Sequence, residues 1–298
     1  MKYIISLLVI GAFAIGMACI PSEEAPSNKN PILSEIWYKG KAEISSFELK
    51  QNRYDGLHDG EMVMIFVTED FLPDKQVKND SYTSDNSVPV IKNNRIRKFT
   101  TGVYDYSIYT SVFTDVSQQD EVNTYKVTMS SQDWCGQSCA QLNNVGRYNK
   151  VSVFSYFEKE GDSVEKLKDV LLIDEVFNLI RLGESYLPVG TVEVMPPFLF
   201  SRLKHVKEAV YSAEASLLKT DKGQAIYTIV IPKLDYTLEI EFNMNAQRDI
   251  LSIKESYPSA FDGKLRTTVA TRKNIQWLDY WNKNGVEDDS LRAQFNLN

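Results

Sequence analysis

Apolar and polar residues alternate along many short segments of this chain. The alternation is clear over residues 104–112, 125–130 and 151–157, and it returns over 209–217 and 238–242. A period of two places successive side chains on opposite faces of a β-strand, and an antiparallel sheet with one solvated face has this pattern. Turn residues such as Gly, Asp and Asn separate the segments. The pattern therefore predicts antiparallel strands that are joined as meanders.

The first strand-like segment, residues 32–49, contains one irregularity. Its apolar positions change parity at Ser45-Ser46, which predicts a β-bulge there. Residues 62–67 are apolar throughout and predict a strand that is buried on both faces. Together these patterns predict a mainly β fold with antiparallel regions at 32–163 and 184–284. The two regions form either two lobes or one large curved sheet.

One segment, residues 166–182, has helical spacing instead. The positions that recur three or four residues apart are Leu167, Val170, Leu171, Asp174, Phe177 and Arg181. This period predicts one principal helix, assigned to residues 164–183, which packs on the sheet or marks a lobe boundary. Gly183 suits the C-terminal end of such a helix. The last segment, residues 285–298, is a polar tail and is expected to fray.

The N-terminal segment, residues 1–18, has the layout of a secretory signal peptide. Met1-Lys2 is a short basic start, and residues 3–18 form a mostly apolar stretch of 16 residues. This stretch is shorter than the roughly 20 residues that a transmembrane helix needs, so cleavage is favoured over a permanent span. Gly16 and Ala18 would suit an ordinary signal peptidase, which requires small side chains before the cut.

The run Gly16-Met17-Ala18-Cys19 also resembles the lipobox of bacterial lipoproteins. In that family the cut falls just before the cysteine, and the cysteine thiol and the new amine are acylated. The usual leucine three residues before the cysteine is replaced here by Gly16. The resemblance implies lipid attachment at Cys19, and the alternative is a plain secreted protein in which Cys19 has no special role.

Residues 19–31 follow the signal and are polar, acidic and rich in proline. Such a composition buries little surface and stays extended, so it predicts a flexible tether between the lipid anchor in the membrane and a folded body. These features predict a protein of the cell envelope, held at the outer membrane. Exposure to the periplasm and exposure at the cell surface are both left open.

The overall composition restricts the possible partners. The 298 residues include 33 Lys and Arg against 40 Asp and Glu, which gives a formal net charge of −7. The sequence contains no basic block, so nucleic acid is excluded as a partner, and it contains no glycine-rich phosphate loop, so no cofactor is predicted. The 16 Tyr and 14 Phe favour strands. They could line a concave β surface for an apolar or carbohydrate-like ligand, or they could fill the core.

The cysteines allow one cross-link. If Cys19 is acylated, Cys135 and Cys139 remain as a pair that could form a disulfide in an oxidising envelope. They could meet on a helical turn or around a tight loop, whereas a flat strand would hold them apart. The alternative is two small, half-buried thiols. Trp134-Cys135-Gly136 lacks the second cysteine of a thioredoxin motif, so redox catalysis is not predicted.

Carboxylates at strand ends are the remaining candidates for chemistry. Glu69 follows an apolar strand and could act with Asp133 in acid–base catalysis. The alternative is a pair of solvated carboxylates at strand edges. His58 and His205 lie outside any zinc-binding spacing, and no GxSxG nucleophile motif occurs in the sequence. A metal site is therefore not predicted.

Four segments carry a resemblance to a known group of proteins. They are residues 37–43 (WYKGKAE), 65–71 (IFVTEDF), 134–137 (WCGQ) and 155–158 (SYFE). In combination they resemble an uncharacterised family of envelope lipoproteins from the Bacteroidota, over most of the mature chain. Members sometimes carry the label septum formation inhibitor, after a family of cytosolic nucleotide pyrophosphatases. Those enzymes share an N-terminal nucleotide loop where this chain has its signal peptide, so their activity is not transferred.

The sequence therefore leaves three functions open. The first is a non-enzymatic envelope lipoprotein that binds a small ligand or an envelope protein partner on a β surface. The second is a structural or assembly subunit of an outer-membrane complex. The third is an envelope hydrolase that uses carboxylates such as Glu69 and Asp133. A ring-lined cleft would favour the first, a broad exposed apolar patch the second, and two facing carboxyls the third.

Overall fold

The computed structural model describes residues 33–82, 84, 86–117 and 122–297 of the chain. Within these residues, sixteen strands form a single sheet that is antiparallel except for one short pair. The first nine strands are β1 (Ala42–Arg53), β2 (Gly56–Leu72), β3 (Val77–Lys78), β4 (Val88–Thr101), β5 (Tyr104–Asp115), β6 (Thr124–Asp133), β7 (Gly136–Asn144), β8 (Asn149–Ser155) and β9 (Ser163–Leu167). The other seven are β10 (Leu171–Leu172), β11 (Gly190–Met195), β12 (Tyr211–Lys219), β13 (Gln224–Ile231), β14 (Tyr236–Asn243), β15 (Ile250–Pro258) and β16 (Leu265–Leu278). The predicted mainly β, antiparallel fold is confirmed.

The strands follow one another around the sheet in nearly their order along the chain. That order is β10-β11-β12-β13-β14-β15-β16-β1-β2-β4-β5-β6-β7-β8-β9, and β3 pairs with β2. Two meanders are joined in the middle because β1 pairs with both β16 and β2, which selects one sheet over two lobes. The end strands β9 and β10 are separated only by residues 168–170. The sheet therefore curves until its two ends lie side by side.

Two helices, α1 (Val176–Leu182) and α2 (Phe198–Lys204), lie on the inner face of the curved sheet. Their side chains reach strands of both meanders. Asn178 of α1 donates to the Ile91 carbonyl on β4 at 3.2 Å, and the Phe200 ring of α2 lies 5.0 Å from that of Tyr236 on β14. Every residue of α1 is buried, as expected for a helix that is mostly apolar around its circumference. The helices thus fill the space that the sheet encloses.

The predicted helix at 166–182 is shorter in the structure, and its first half is wrong. The first residues belong to β9 and β10, and a 3-10 helix at Ile173–Glu175 then leads into α1. Tertiary pairing overrides local spacing here, because β8 and β11 supply hydrogen-bond partners to this stretch of backbone. The predicted end is confirmed. The helix stops at Leu182, and Gly183, at a φ of 142°, donates its N–H to the Leu179 carbonyl at 3.0 Å.

The strand predicted at the start of the fold begins later than expected. A 3-10 helix at Glu35–Tyr38 precedes it and buries Trp37. The Trp37 ring lies 6.3 Å from Phe66 and 4.8 Å from Trp277, measured between centroids. The bulge predicted at Ser45-Ser46 is confirmed, because the pairing of β1 with β16 shifts register directly after the second serine.

Charged side chains are buried in pairs between the helices and the sheet. Arg181 of α1 contacts Glu43 of β1, and neither side chain is more than 1% exposed. Asp174 contacts Arg95 of β4 and also accepts a hydrogen bond at 3.1 Å from the Phe198 N–H at the start of α2. A lone buried charge is costly, so each of these groups depends on its partner. The pairs fix both helices to particular strands.

The polar tail predicted at 285–298 packs on the outer face of the sheet over its described part, so the expectation that it frays is wrong. It contains a 3-10 helix at Val286–Ser290 and the short helix α3 (Leu291–Gln294). Phe295 follows α3 and is 6% exposed, because it packs into a small apolar cluster. The other buried members of that cluster are Ala42, Ile44 and Val67. Leu297 packs against the same cluster, so two apolar residues hold the polar segment in place.

The signal peptide predicted at 1–18, the tether at 19–31 and the acylation site at Cys19 lie outside the described residues. None of the helices in the described part of the chain is long and apolar enough to cross a membrane. Lipid attachment stays a prediction from the sequence.

Candidate binding site at one end of the sheet

Six turns lie at the same end of the sheet, because successive turns of an antiparallel meander alternate between its two ends. They connect β1 to β2, β4 to β5, β6 to β7, β8 to β9, β13 to β14 and β15 to β16. The last of these joins the first, since Arg266 donates to the Asp55 carbonyl at 2.7 Å. We call this end of the sheet the rim.

The turns of the rim carry a row of aromatic rings. The ring centroids of Phe261 and Tyr54 are 6.1 Å apart, and those of Tyr54 and Tyr104 are 6.4 Å apart. Tyr104 continues the row to Trp134 at 6.5 Å, and the next turn along the sheet adds Tyr156. Aromatic rings attract one another at these separations. We call these five rings the aromatic rim.

Three rings of the aromatic rim are open to solvent. Trp134 is 71% exposed, Tyr156 is 76% exposed and Phe261 is 69% exposed. Scattered apolar residues are normal on a protein surface, but these rings lie at the same end of the sheet, and the half-buried rings of Tyr54 and Tyr104 connect Phe261 with Trp134. The aromatic rim is therefore the strongest candidate for binding among the described residues.

The inner part of the rim is fixed by hydrogen bonds. The Tyr54 hydroxyl bonds to the hydroxyls of Tyr104 and Tyr106, the latter at 2.8 Å. The Arg53 guanidinium lies 4.5 Å from the centroid of the Tyr54 ring and donates to the Leu203 carbonyl at 2.9 Å. Burial, together with the bond from Tyr54, raises the pKa of Tyr106, so its hydroxyl stays neutral. These hydrogen bonds fix the rings of Tyr54 and Tyr104, against which the exposed Phe261 and Trp134 pack.

An open cleft of about 450 Å³ lies on the outer face of β6, β7 and β8, beside the turn that carries Trp134. We call it the rim cleft. The side chains that line it include Gln132, Cys135, Gln137, Cys139, Phe154, Tyr156 and Asp162. A volume of this size falls within the range of roughly 300–1,000 Å³ that is typical of ligand sites.

The strand register explains how these groups come together. Gln132 of β6 lies directly opposite Gln137 of β7, and Cys139 of β7 lies opposite Phe154 of β8. The N–H of Tyr156 donates to the Gln137 carbonyl at 3.2 Å, which extends the pairing of β7 past the end of β8. Alternate residues of a strand share one face, so these groups lie together on the outer face. The amides are on β6 and β7, and the rings are on β8 and directly after it.

Tyr156 lies directly on Gly136, which has no side chain to displace it. A Cβ atom at position 136 would come within 2.6 Å of Cδ1 of the tyrosine ring, closer than real contacts allow. The glycine therefore sets the position of the ring that forms the wall of the rim cleft.

The turn between β8 and β9 is fastened to α2 by charged groups. Glu160 lies 3.1 Å from Nη1 of Arg202 and 2.6 Å from Nδ1 of His205. It also accepts from Ser155 Oγ at 2.6 Å, and the Arg202 guanidinium lies 4.2 Å from the Phe157 ring centroid. Desolvation raises the pKa of Glu160, but the bonds from His205 and Ser155 and the charge of Arg202 outweigh it and hold that pKa below its usual value. These contacts hold the turn that carries Tyr156, the ring that forms the wall of the cleft.

The structure does not bring the two predicted acidic residues together. Glu69 lies near the far end of β2, away from the rim, and pairs with Lys92 at 3.0 Å. Asp133 lies at the rim, where it accepts from the Cys135 N–H at 2.8 Å and approaches Nη2 of Arg202 at 3.5 Å. The side chains are only 15% and 2% exposed, so the alternative of solvated carboxylates does not describe them either. Both carboxylates make structural ion pairs.

Cys135 and Cys139 are free, exposed thiols in the structure, so the predicted disulfide is not formed there. Cys135 lies in the turn, and Cys139 lies within β7, where the extended backbone advances about 3.3 Å with each residue. The strand keeps the two thiols apart, although both line the rim cleft. The alternative of half-buried thiols fails too, because both are exposed.

The two histidines make local contacts. Nε2 of His58 lies 3.0 Å from the Arg53 carbonyl oxygen, and His205 contacts Glu160. Within the described ranges, no group of three or more His, Cys, Asp or Glu side chains could hold a metal ion.

The space between the helices and the sheet is filled rather than hollow. Two cavities at the helices measure about 40 and 10 Å³, which is room for a few water molecules. Trp37, Phe66 and Phe198 are among the largest fully buried side chains. Much of the aromatic content therefore fills the core, and the larger cleft lies on the outer face.

The alternation of apolar and polar residues does not reveal the aromatic rim, but the turns carry a different signal. Tyr54-Asp55-Gly56, Trp134-Cys135-Gly136 and Phe261-Asp262-Gly263 share the pattern aromatic–x–Gly. Gly and Asp mark turns, whereas aromatic residues are not among those that turns favour. The repeated aromatic residue before the turn glycine therefore indicates a role other than forming the turn.

The fold and the site define a class: a mainly antiparallel β protein that encloses two short helices and carries an open, ring-lined cleft at one end. Comparisons of this chain with family models, with curated proteins and with solved structures find no match. The resemblance to envelope lipoproteins stays a prediction from the sequence.

Proposed function

We propose that this protein is a non-enzymatic envelope lipoprotein that binds a ligand or a partner at the rim cleft. The observation that carries the proposal is the juxtaposition of exposed rings with unused amides. Trp134 and Tyr156 expose most of their surface. Gln132 and Gln137 lie beside them, and their side chains make no hydrogen bond to any described residue. Such a surface is equipped to bind a molecule that has both apolar and polar groups.

A hydrolase is less well supported. Two-carboxylate catalysis needs an acid and a base that face each other across the substrate at roughly 5–10 Å. The rim cleft has one carboxylate, Asp162, among its lining side chains. The acidic candidates Glu69 and Asp133 lie at different ends of the sheet, and each already has a cationic partner.

The anchor is tested by Cys19→Ser in the full-length protein. We expect the variant to leave the membrane fraction, because the acyl chains supply the membrane contact. Equal membrane retention of the variant and the parent protein would contradict the lipoprotein assignment.

Binding at the rim cleft is tested by photo-cross-linking in intact cells. A photoreactive phenylalanine derivative replaces Phe154, which lines the cleft and is 52% exposed. The matched control replaces Tyr82, which is 70% exposed and lies at the opposite end of the sheet. We expect an adduct at position 154 that is absent at position 82 and is lost when Tyr156→Ala is added. Equal labelling at both positions, or no labelling at 154, would refute the proposed site.

A second candidate, an assembly subunit, is favoured by the apolar residues that extend the exposed surface around the rim. Val103 is 81% exposed and Leu265 is 65% exposed, and both flank turns of the rim. The same cross-linking separates the two functions. A single protein adduct of defined size, also obtained from position 103, would support the assembly role over a small ligand.

A further inference from the structure

We infer that the occupant of the rim cleft is a segment of a neutral oligosaccharide. This inference rests on the proposed function and names the ligand class of the same site. The structural observation behind it is that rings and hydrogen-bonding groups lie side by side on a fully paired stretch of the sheet.

The first step is the chemistry of the lining. A sugar ring has one or two faces covered by C–H groups and an edge covered by hydroxyls. The C–H faces can pack on Phe154 and Tyr156, while the hydroxyls bond to Gln132 and Gln137 across the cleft. A purely aliphatic ligand would cover these amides and leave them without partners, which is costly. The lining therefore suits a polyhydroxylated ligand better than a lipid chain.

The second step is charge. The rim cleft contains no Lys or Arg among its described lining residues, and its one ionised group is Asp162. The Ser155 N–H donates to Oδ1 of Asp162 at 3.2 Å, which leaves Oδ2 free to accept from a ligand hydroxyl. Anionic ligands such as phosphates or an acidic lipid surface would meet only negative charge here. The charge of the cleft therefore disfavours an anionic ligand, and a neutral sugar chain meets no like charge here.

The third step concerns the backbone. An extended peptide often binds by adding a strand to a free sheet edge, where main-chain hydrogen bonds supply affinity. The cleft lies over β6, β7 and β8, and each of these strands is already paired on both sides. Recognition must use side chains, as it does when aromatic rings and amides bind sugars.

The fourth step concerns the length of the ligand. The cleft is open to solvent, and the row of rings continues from its edge through Trp134 to Tyr104. A chain of sugar units can therefore leave the cleft along the rim without meeting a closed wall. This geometry fits an internal segment of a polysaccharide.

The test is titration of the full-length mature protein, in detergent, with three soluble probes: a cello-oligosaccharide, an N-acetylglucosamine oligomer and a mannose oligomer, each of several units. Binding is followed by calorimetry and by ligand-observed saturation-transfer NMR. We expect at least one probe to bind, and we expect Tyr156→Ala and Gln137→Ala each to weaken it roughly tenfold, the effect of one lost contact of moderate strength. Tyr82→Ala should leave the affinity unchanged.

Two variants keep the result interpretable. Tyr156→Ala removes a ring that packs on Gly136, whereas Gln137→Ala removes only an exposed amide, so loss of affinity in both cannot be assigned to misfolding. If no probe binds at millimolar concentration, the oligosaccharide inference is overturned. An adduct to Phe154 in cells would then still support the proposed function with a different ligand, for example a protein, and its absence would overturn both.

Discussion

The interior and the rim of this protein are both rich in aromatic rings, but the rings have opposite surroundings. Trp37 is 1% exposed and packs against Phe66 and Trp277 between the sheet and α1. Trp134 is 71% exposed and touches the Tyr104 ring on one side. The interior rings stabilise the fold, and we propose that the rim rings serve recognition.

Polar groups differ between the two regions in the same way. In the interior, Arg181 and Glu43 are paired and excluded from water. In the rim cleft, Gln132 and Gln137 face solvent with no protein partner among the described residues. The amides of the rim cleft are therefore accessible to a ligand, whereas the ion pair of the interior is not.

The two tryptophans give the largest expected contrast. Trp37→Ala should lower the free energy of unfolding by about 3–5 kcal/mol, because a large buried ring is replaced by a cavity. Trp134→Ala should change it by no more than about 0.5 kcal/mol, as is usual for an exposed site. Urea unfolding of both variants measures the difference. A cost for Trp134→Ala close to that for Trp37→Ala would show that the rim ring is structural.

Ion pairs offer a similar comparison. Arg181→Ala leaves Glu43 buried without its partner and should cost about 3–5 kcal/mol of stability. The control is Lys168→Ala, which breaks an ion pair with Glu193 whose side chains are 55% and 57% exposed; it should cost about 0.5 kcal/mol or less. Thermal unfolding of the two variants measures the effect. Similar losses would mean that the interior pair is hydrated and not buried.

Glycines of the rim allow a test of how the cleft wall is positioned. Gly136→Ala places a methyl group in the Tyr156 ring and should cost about 1–3 kcal/mol, as overpacking does, while weakening binding at the cleft. Gly56→Ala is the control, since its Cβ would meet nothing closer than 3.9 Å. Stability and probe affinity are measured on both. Equal behaviour would contradict the close contact of Tyr156 with Gly136.

The free energy of unfolding should depend on pH in opposite directions in the two regions. Burial raises the pKa of Glu175, which precedes α1, from 4.5 to about 7, so the stability from its neutral form is complete below pH 4.5 and is lost as pH rises through about 7. The loss should be about 3 kcal/mol, and Glu175→Gln should remove it. The lowered pKa of Glu160 at the rim acts oppositely, since its contribution is present above pH 4.5 and lost below. Unfolding curves from pH 4 to pH 9 would refute the assignment if Glu175→Gln kept the wild-type slope.

Much of the fold can be predicted from the sequence, because the pattern within each short segment is enough to specify a strand. Alternating residues specify the strands of both meanders, and Ser45-Ser46 marks the bulge. The start of α1 could not be predicted, because the leucines of residues 167–172 satisfy helical spacing while their backbone is paired by distant strands. The packing of the tail could not be predicted either, since it depends on Phe295 and Leu297, two apolar residues in a polar segment.

The site was harder to predict because it depends on neighbours that the sequence separates. The spacing of Cys135 and Cys139 allows a disulfide, yet both thiols are free and line a cleft with Phe154 and Tyr156. That cleft exists because β6, β7 and β8 pair in a particular register. The carboxylates Glu69 and Asp133 looked similar along the chain, but each has a different cationic partner.

The most direct test of the central claim compares two exposed tyrosines. Tyr156→Ala and Tyr82→Ala remove rings of similar exposure from opposite ends of the sheet, and binding of the oligosaccharide probes is measured for both in the full-length protein. We predict that Tyr156→Ala loses affinity roughly tenfold and that Tyr82→Ala matches the parent protein. Unchanged affinity in Tyr156→Ala, or an equal loss in both variants, would contradict the account.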